Sequence, residues 1–122
     1  MVIEWGTVLY GAALTVVLVP LGPLALRERS LPVIGTCALT AGCAAIAWNA
    51  VLIDAGAGGF FVDAPIAVIP VSWQDTGTGV WALALVSLIL GLSVGRSHRP
   101  TEVARLAAAS ALVAFLVDVY LY

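Results

Sequence analysis

A bilayer's hydrocarbon core is about 30 Å thick, and a helix needs roughly 20 mostly apolar residues to cross it. This chain of 122 residues contains four such runs: Ile3 to Leu26, Leu31 to Ile53, Thr76 to Gly95 and Val103 to Tyr122. Little sequence is left over in which to build anything else. Only 10% of the residues are charged, against about 25% in soluble globular domains, so this composition does not supply a water-facing surface. The expectation is an all-α membrane protein. It is a four-transmembrane-helix bundle forming a single integral membrane domain over residues 1–122, with spans at about 3–26, 31–53, 76–95 and 103–122. A cleavable signal peptide opens with positive charge, whereas this chain opens Met-Val-Ile-Glu-Trp; the first run is read as a retained helix.

The charges give the runs a direction. Every basic residue is an Arg. Arg27 and Arg29 lie between the first two spans, Arg96 and Arg99 between the last two, and Arg105 in the first turn of the fourth. With four spans these positions share one side, and the other side carries no Arg or Lys. Short loops rich in Lys and Arg stay on the cytoplasmic face, so a multi-pass protein of the plasma membrane with both termini extracytoplasmic is predicted. The aromatic residues agree: Trp5, Tyr10, Trp48, Phe60, Phe61, Trp73, Trp81, Phe115, Tyr120 and Tyr122 all fall in the half away from the Arg loops. Indole and phenol rings favour the headgroup level of a bilayer. A formal net charge of −2 excludes the basic footprint that nucleic-acid binding needs, and the expected partners are the lipid bilayer and a second copy or a larger membrane complex.

Lipid gives helices no hydrophobic reason to associate, so their contacts rely on small residues that let backbones approach. Each span carries such residues at helical spacing: Thr7, Gly11, Thr15 and Gly22; Gly35, Ala38, Gly42 and Ala45; Ala84, Ser87, Gly91 and Gly95; Ala107, Ala111 and Ala114. Pro20 and Pro23 are expected to kink the end of the first span, while Pro32 and Pro100 sit at helix starts, where a missing N–H costs nothing. The extracytoplasmic segment from Ala55 to Gln74 is long for a connection. Its apolar run is broken by Asp63, Pro65 and Pro70, which predicts an interfacial loop or a lid.

Extending the small-residue stripes away from the Arg loops places Glu4, Asn49 and Asp118 on the inward faces of three spans. Ionisable groups inside a membrane are costly and mark sites or specific partners. Brought together and desolvated, the two carboxylates would share a proton or bind a cation; near the chain ends they would simply reach water. Both outcomes stay open at this point. Asp75-Thr-Gly-Thr-Gly is loop-like, but without a Lys or a preceding strand it is no phosphate loop, and Asp75 with Thr76 is read as the cap of the third span. Cys37 and Cys43 are six residues apart in the second span, about 9 Å along a helix axis, and are read as packing residues. His98 sits alone in a basic loop. No catalytic set, cofactor motif or metal-ligand set emerges, so no enzyme activity and no cofactor are expected. The first expectation is a protein that acts by helix packing, as an accessory or assembly subunit or a self-associating bundle. The alternative is a homo-oligomeric transporter or channel using Glu4, Asn49 and Asp118 at its outer mouth.

Overall fold

Prolines decide the shape of the first span. In a computed structural model, which describes residues 4–56, 71–93 and 98–121, helix α1 (Trp5–Leu18) stops just before Pro20, and a short α2 (Leu21–Ala25) resumes after two residues, Val19 and Pro20. The Pro ring has no N–H to give the preceding turn, and the Gly22 amide reaches back only three residues, to the Val19 carbonyl at 3.0 Å. The other elements are α3 (Leu31–Ala55), α4 (Trp73–Leu92) and α5 (Pro100–Leu121). Every regular element among the described residues is helical. Counting α1 with α2 as one, four helices are long and apolar enough to cross a membrane.

The helix ends follow from local chemistry. Helix α2 closes in a Schellman arrangement: the Arg27 amide donates to the Leu24 carbonyl at 3.0 Å and the Glu28 amide to that of Pro23 at 2.9 Å. The geometry puts Arg27 at φ 65°, a left-handed position usually occupied by Gly, at a cost of about 1–2 kcal/mol for any L side chain. At the far end of α3 the same need is met by Gly56, also at φ 65°. Helix α4 begins at Trp73, three residues before the sequence reading put it. The cap is Ser72, not Asp75 with Thr76: the Ser72 hydroxyl accepts from the Asp75 amide and the Asp75 carboxylate accepts from the Ser72 amide. Helix α5 likewise starts early, at Pro100. Residues 57–70, which hold Phe60, Phe61 and most of the expected lid, lie outside the described residues, as do Gly95, Arg96 and Tyr122.

Helix α4 packs against both α3 and α5, α1 packs on α3 and α5, and α2 lies along α5. One core joins them, with Ala38, Ala41 and Ala44 of α3, Val86 and Leu90 of α4, and Ala107, Ala111 and Ala114 of α5. Small residues set the spacing. A Cβ at Gly22 would lie 2.9 Å from the backbone of Ala109, so α2 and α5 meet backbone to backbone. A Cβ at Gly42 would meet a Val16 methyl at 2.5 Å, which brings α3 onto α1. Gly11, Thr15 and Gly22 are buried on the inward face of α1 and α2, although Thr7 is exposed.

The third span corrects its expected face. Ala84 is exposed, and Ser87 and Gly91 are only half-buried; the buried row is Gln74, Thr78, Ala82, Val86 and Leu90. Packing density explains the difference. Small faces on both α3 and α5 leave room between them, and a third small face would leave voids that interiors do not tolerate. Val86 and Leu90 fill that room.

Replacing Gly22 by Ala is expected to destabilise the protein by about 1–3 kcal/mol, the usual penalty for overpacking. Gly35→Ala, whose new methyl meets nothing within 4 Å, should be neutral or mildly stabilising. Thermal unfolding in detergent, followed by circular dichroism, checks both; equal loss at the two positions would remove the close approach of α2 and α5.

Candidate functional site

At the end of the molecule away from the Arg loops, the first turn of α4 inserts its side chains between α3 and α5. The capping box fixes that turn, so Gln74 points inward, followed one turn later by Thr78. The Gln74 side-chain amide then does three things at once. Nε2 donates to Asp118 Oδ2 on α5 at 2.9 Å and to Asn49 Oδ1 on α3 at 3.1 Å, and it lies 3.4 Å from the Thr78 hydroxyl. An amide has two hydrogens, so the two short contacts are the bonds and the third shares.

The surrounding groups complete the network. Asn49 Nδ2 donates to the Ala45 carbonyl at 2.8 Å and the Thr78 hydroxyl to the Gln74 carbonyl at 3.1 Å. The Trp48 indole N–H also donates to the Gln74 carbonyl, at 3.0 Å. Asn49 is 0% exposed, Gln74 5% and Asp118 2%. Three helices are therefore tied through one side chain in a place water barely reaches.

Aromatic rings wall this network. Trp48 and Trp81 sit with centroids 5.8 Å apart and planes tilted by 35°. Gly77 leaves the space that the Trp48 ring occupies, and a Cβ at Gly79 would come within 3.3 Å of Phe115. The Thr76-Gly-Thr-Gly string is thus a seat for two rings in the first turns of α4. Trp5, Tyr10, Trp73 and Tyr120 stand exposed at this end.

The predicted cluster is only partly assembled. Asn49 and Asp118 meet through Gln74. Glu4 is exposed at the start of α1, where its carbonyl accepts from the Val8 amide, and it takes no part in the hydrogen bonding described here. One residue before the first helical turn is too far out to reach the inward face that its spacing suggested. Gln74 escaped the sequence reading because the third span was begun at Thr76. The signal was present: Ser72-Trp-Gln-Asp75 has the spacing of a capping box, which puts Gln74 inside the helix.

The opposite end holds Arg27, Arg29, Arg99 and Arg105, all exposed, and the pair of His98 Nε2 with Glu28 Oε2 at 3.8 Å. Cys37 is buried and Cys43 exposed, both as free thiols. Among the described residues no three His, Cys, Asp or Glu side chains gather as a metal-ligand set. No protein-family model, no curated protein and no solved structure matches the chain, so its chemistry has to be argued from its own residues.

Removing the shared donor tests the network. Gln74→Leu leaves two buried acceptors without their partner and should cost about 1–3 kcal/mol. Adding Asn49→Leu and Asp118→Leu should recover part of that loss, because apolar groups replace both sides of each bond. Unfolding midpoints in mixed micelles give the comparison, and a triple variant weaker than Gln74→Leu alone counts against the assignment.

Proposed function

We propose that this chain is a multi-pass protein of the plasma membrane that works by helix packing, as an accessory or assembly subunit or a self-associating bundle, with both termini outside the cytoplasm. The supporting observation is the outward face of α4. Val80 and Ala84 are exposed and Ser87 half-buried, at the spacing of one helical stripe, while Gly91 beyond them turns toward Val103 of α5. Small residues on a lipid-facing stripe let a second helix approach closely, which is the main source of helix affinity in a membrane. Within the protomer Ala84 is not used. Gln74 bridges Asn49 and Asp118 within the protomer, so that cluster is read as a lock between helices rather than an open mouth. No enzymatic step enters this reading. The orientation is supported by Arg27, Arg29, Arg99 and Arg105 at one end and exposed Trp5, Trp73 and Tyr120 at the other, following the retention of Arg on the cytoplasmic side.

Asp118 favours a second reading, a small homo-oligomeric transporter or channel. Its carboxyl sits inside a helix fit to cross a membrane, where acids commonly line ion or proton routes.

Ala84→Leu is expected to weaken association of the chain with itself or with its partner by about tenfold, a loss of some 1.4 kcal/mol, and to leave the unfolding midpoint unchanged. Energy transfer between labelled chains in vesicles, with co-purification for a hetero-partner, reads the effect. A wild-type chain that is monomeric in vesicles and purifies alone would sink this reading. For the second reading, proton- or cation-dependent flux should appear with the wild type and fall with Asp118→Asn; no difference between the two removes it.

A further inference from the structure

Where α2 ends and α5 begins, the molecule has a notch of about 250 Å³ lined by Leu26, Arg27, Glu28, Glu102, Arg105 and Leu106. At about 30 Å³ per molecule of liquid water, that is room for a small polar group rather than an organic ligand of ordinary size. We propose that this notch binds the phosphate of an anionic phospholipid head group.

The two guanidinium groups are free to do it. Among the described residues the one ion pair within 4.0 Å is His98 with Glu28, so neither Arg27 nor Arg105 is paired with a described acid. Of the two acids in the notch, Glu28 is committed elsewhere. Glu28 Oε1 accepts from the amides of Ser30 at 2.9 Å and Arg29 at 3.2 Å, which ties it to the start of α3, and its other oxygen faces His98. Glu102 lies in the first turn of α5, where the helix dipole offsets a negative charge. Arg27 occupies a left-handed backbone position that Gly would fill without strain. Arg presents paired N–H donors that match phosphate oxygens.

Lipid phosphate suits the site better than free phosphate for two reasons. Leu26 is partly exposed and Leu106 closes the notch from the core side, giving an apolar wall for the glycerol and first methylenes beside the charges. The notch also lies where two membrane-fit helices end and begin, the level at which head groups gather, and basic pockets between spans are known to hold such groups. The site is separate from the outward face of α4 and stands whether or not the chain self-associates.

The test uses the purified full chain in an uncharged detergent, titrated with dioctanoyl phosphatidylglycerol, dioctanoyl phosphatidylcholine or inorganic phosphate. Phosphatidylglycerol should raise the unfolding midpoint saturably and be retained at one molecule per chain in native mass spectrometry, and the other two should not. Arg27→Lys and Arg105→Lys keep the charge that sets topology but lose the paired donors. Each should weaken the response by about tenfold, as expected for loss of one charge-assisted hydrogen bond, and Arg29→Gln, outside the notch, should leave it intact. Equal responses to the two lipids, an equal loss with Arg29→Gln, or full displacement by inorganic phosphate would each overturn the assignment, the last by pointing to a soluble anion.

Discussion

In hydrocarbon an apolar side chain gains little by leaving lipid for protein, so helices stay together through close packing and through polar groups that have no water to turn to. This chain uses both. Gly22 against the Ala109 backbone and Gly42 against Val16 bring helices within reach, and the Ala rows of α3 and α5 receive Val86 and Leu90 of α4. Near the aromatic end one amide, that of Gln74, joins α3, α4 and α5. Without the close approach the amide could not span the gap; without the amide, Asn49 on α3 and Asp118 on α5 would lose the donor they share.

The two ends of the molecule solve different problems. At one end Ser72 and Asp75 cap α4, and the same turn delivers Gln74 to its partners and clears space at Gly77 and Gly79 for Trp48 and Phe115. A single local motif thereby fixes both the polar and the aromatic contacts. At the other end charge prevails over backbone comfort. Arg27 sits where Gly56 sits at the end of α3, in the same left-handed geometry, and Glu28 turns its carboxylate to the start of α3. The side chains of Arg27 and Arg105 are left exposed, able to meet an anion.

These features bear on function through what they leave unfilled. Val86 and Leu90 fill the space between α3 and α5, and Gln74 bridges Asn49 and Asp118 inside the protomer. Among the described residues, Ala84 on α4 and the notch between Arg27 and Arg105 stay accessible. Both are the surfaces on which the proposed contacts with other membrane components rest.

Sequence alone determined the number of long apolar helices, their approximate limits and the grouping of Arg27, Arg29, Arg99 and Arg105 at one end, because each depends on local composition. It also placed Asn49 and Asp118 on inward faces, since helical spacing carries over from one turn to the next. It went astray where the answer depended on a neighbour. The small row on α4 faces outward because α3 and α5 already supply small faces, and Glu4 stays outside because its helix starts only after it. Gln74 was missed through a helix start set three residues late, although the capping-box spacing was there to read. Which side chain bridges three helices, and which stripe is left free, was decided only in the tertiary structure, because both follow from the volume and the donors that the other helices bring.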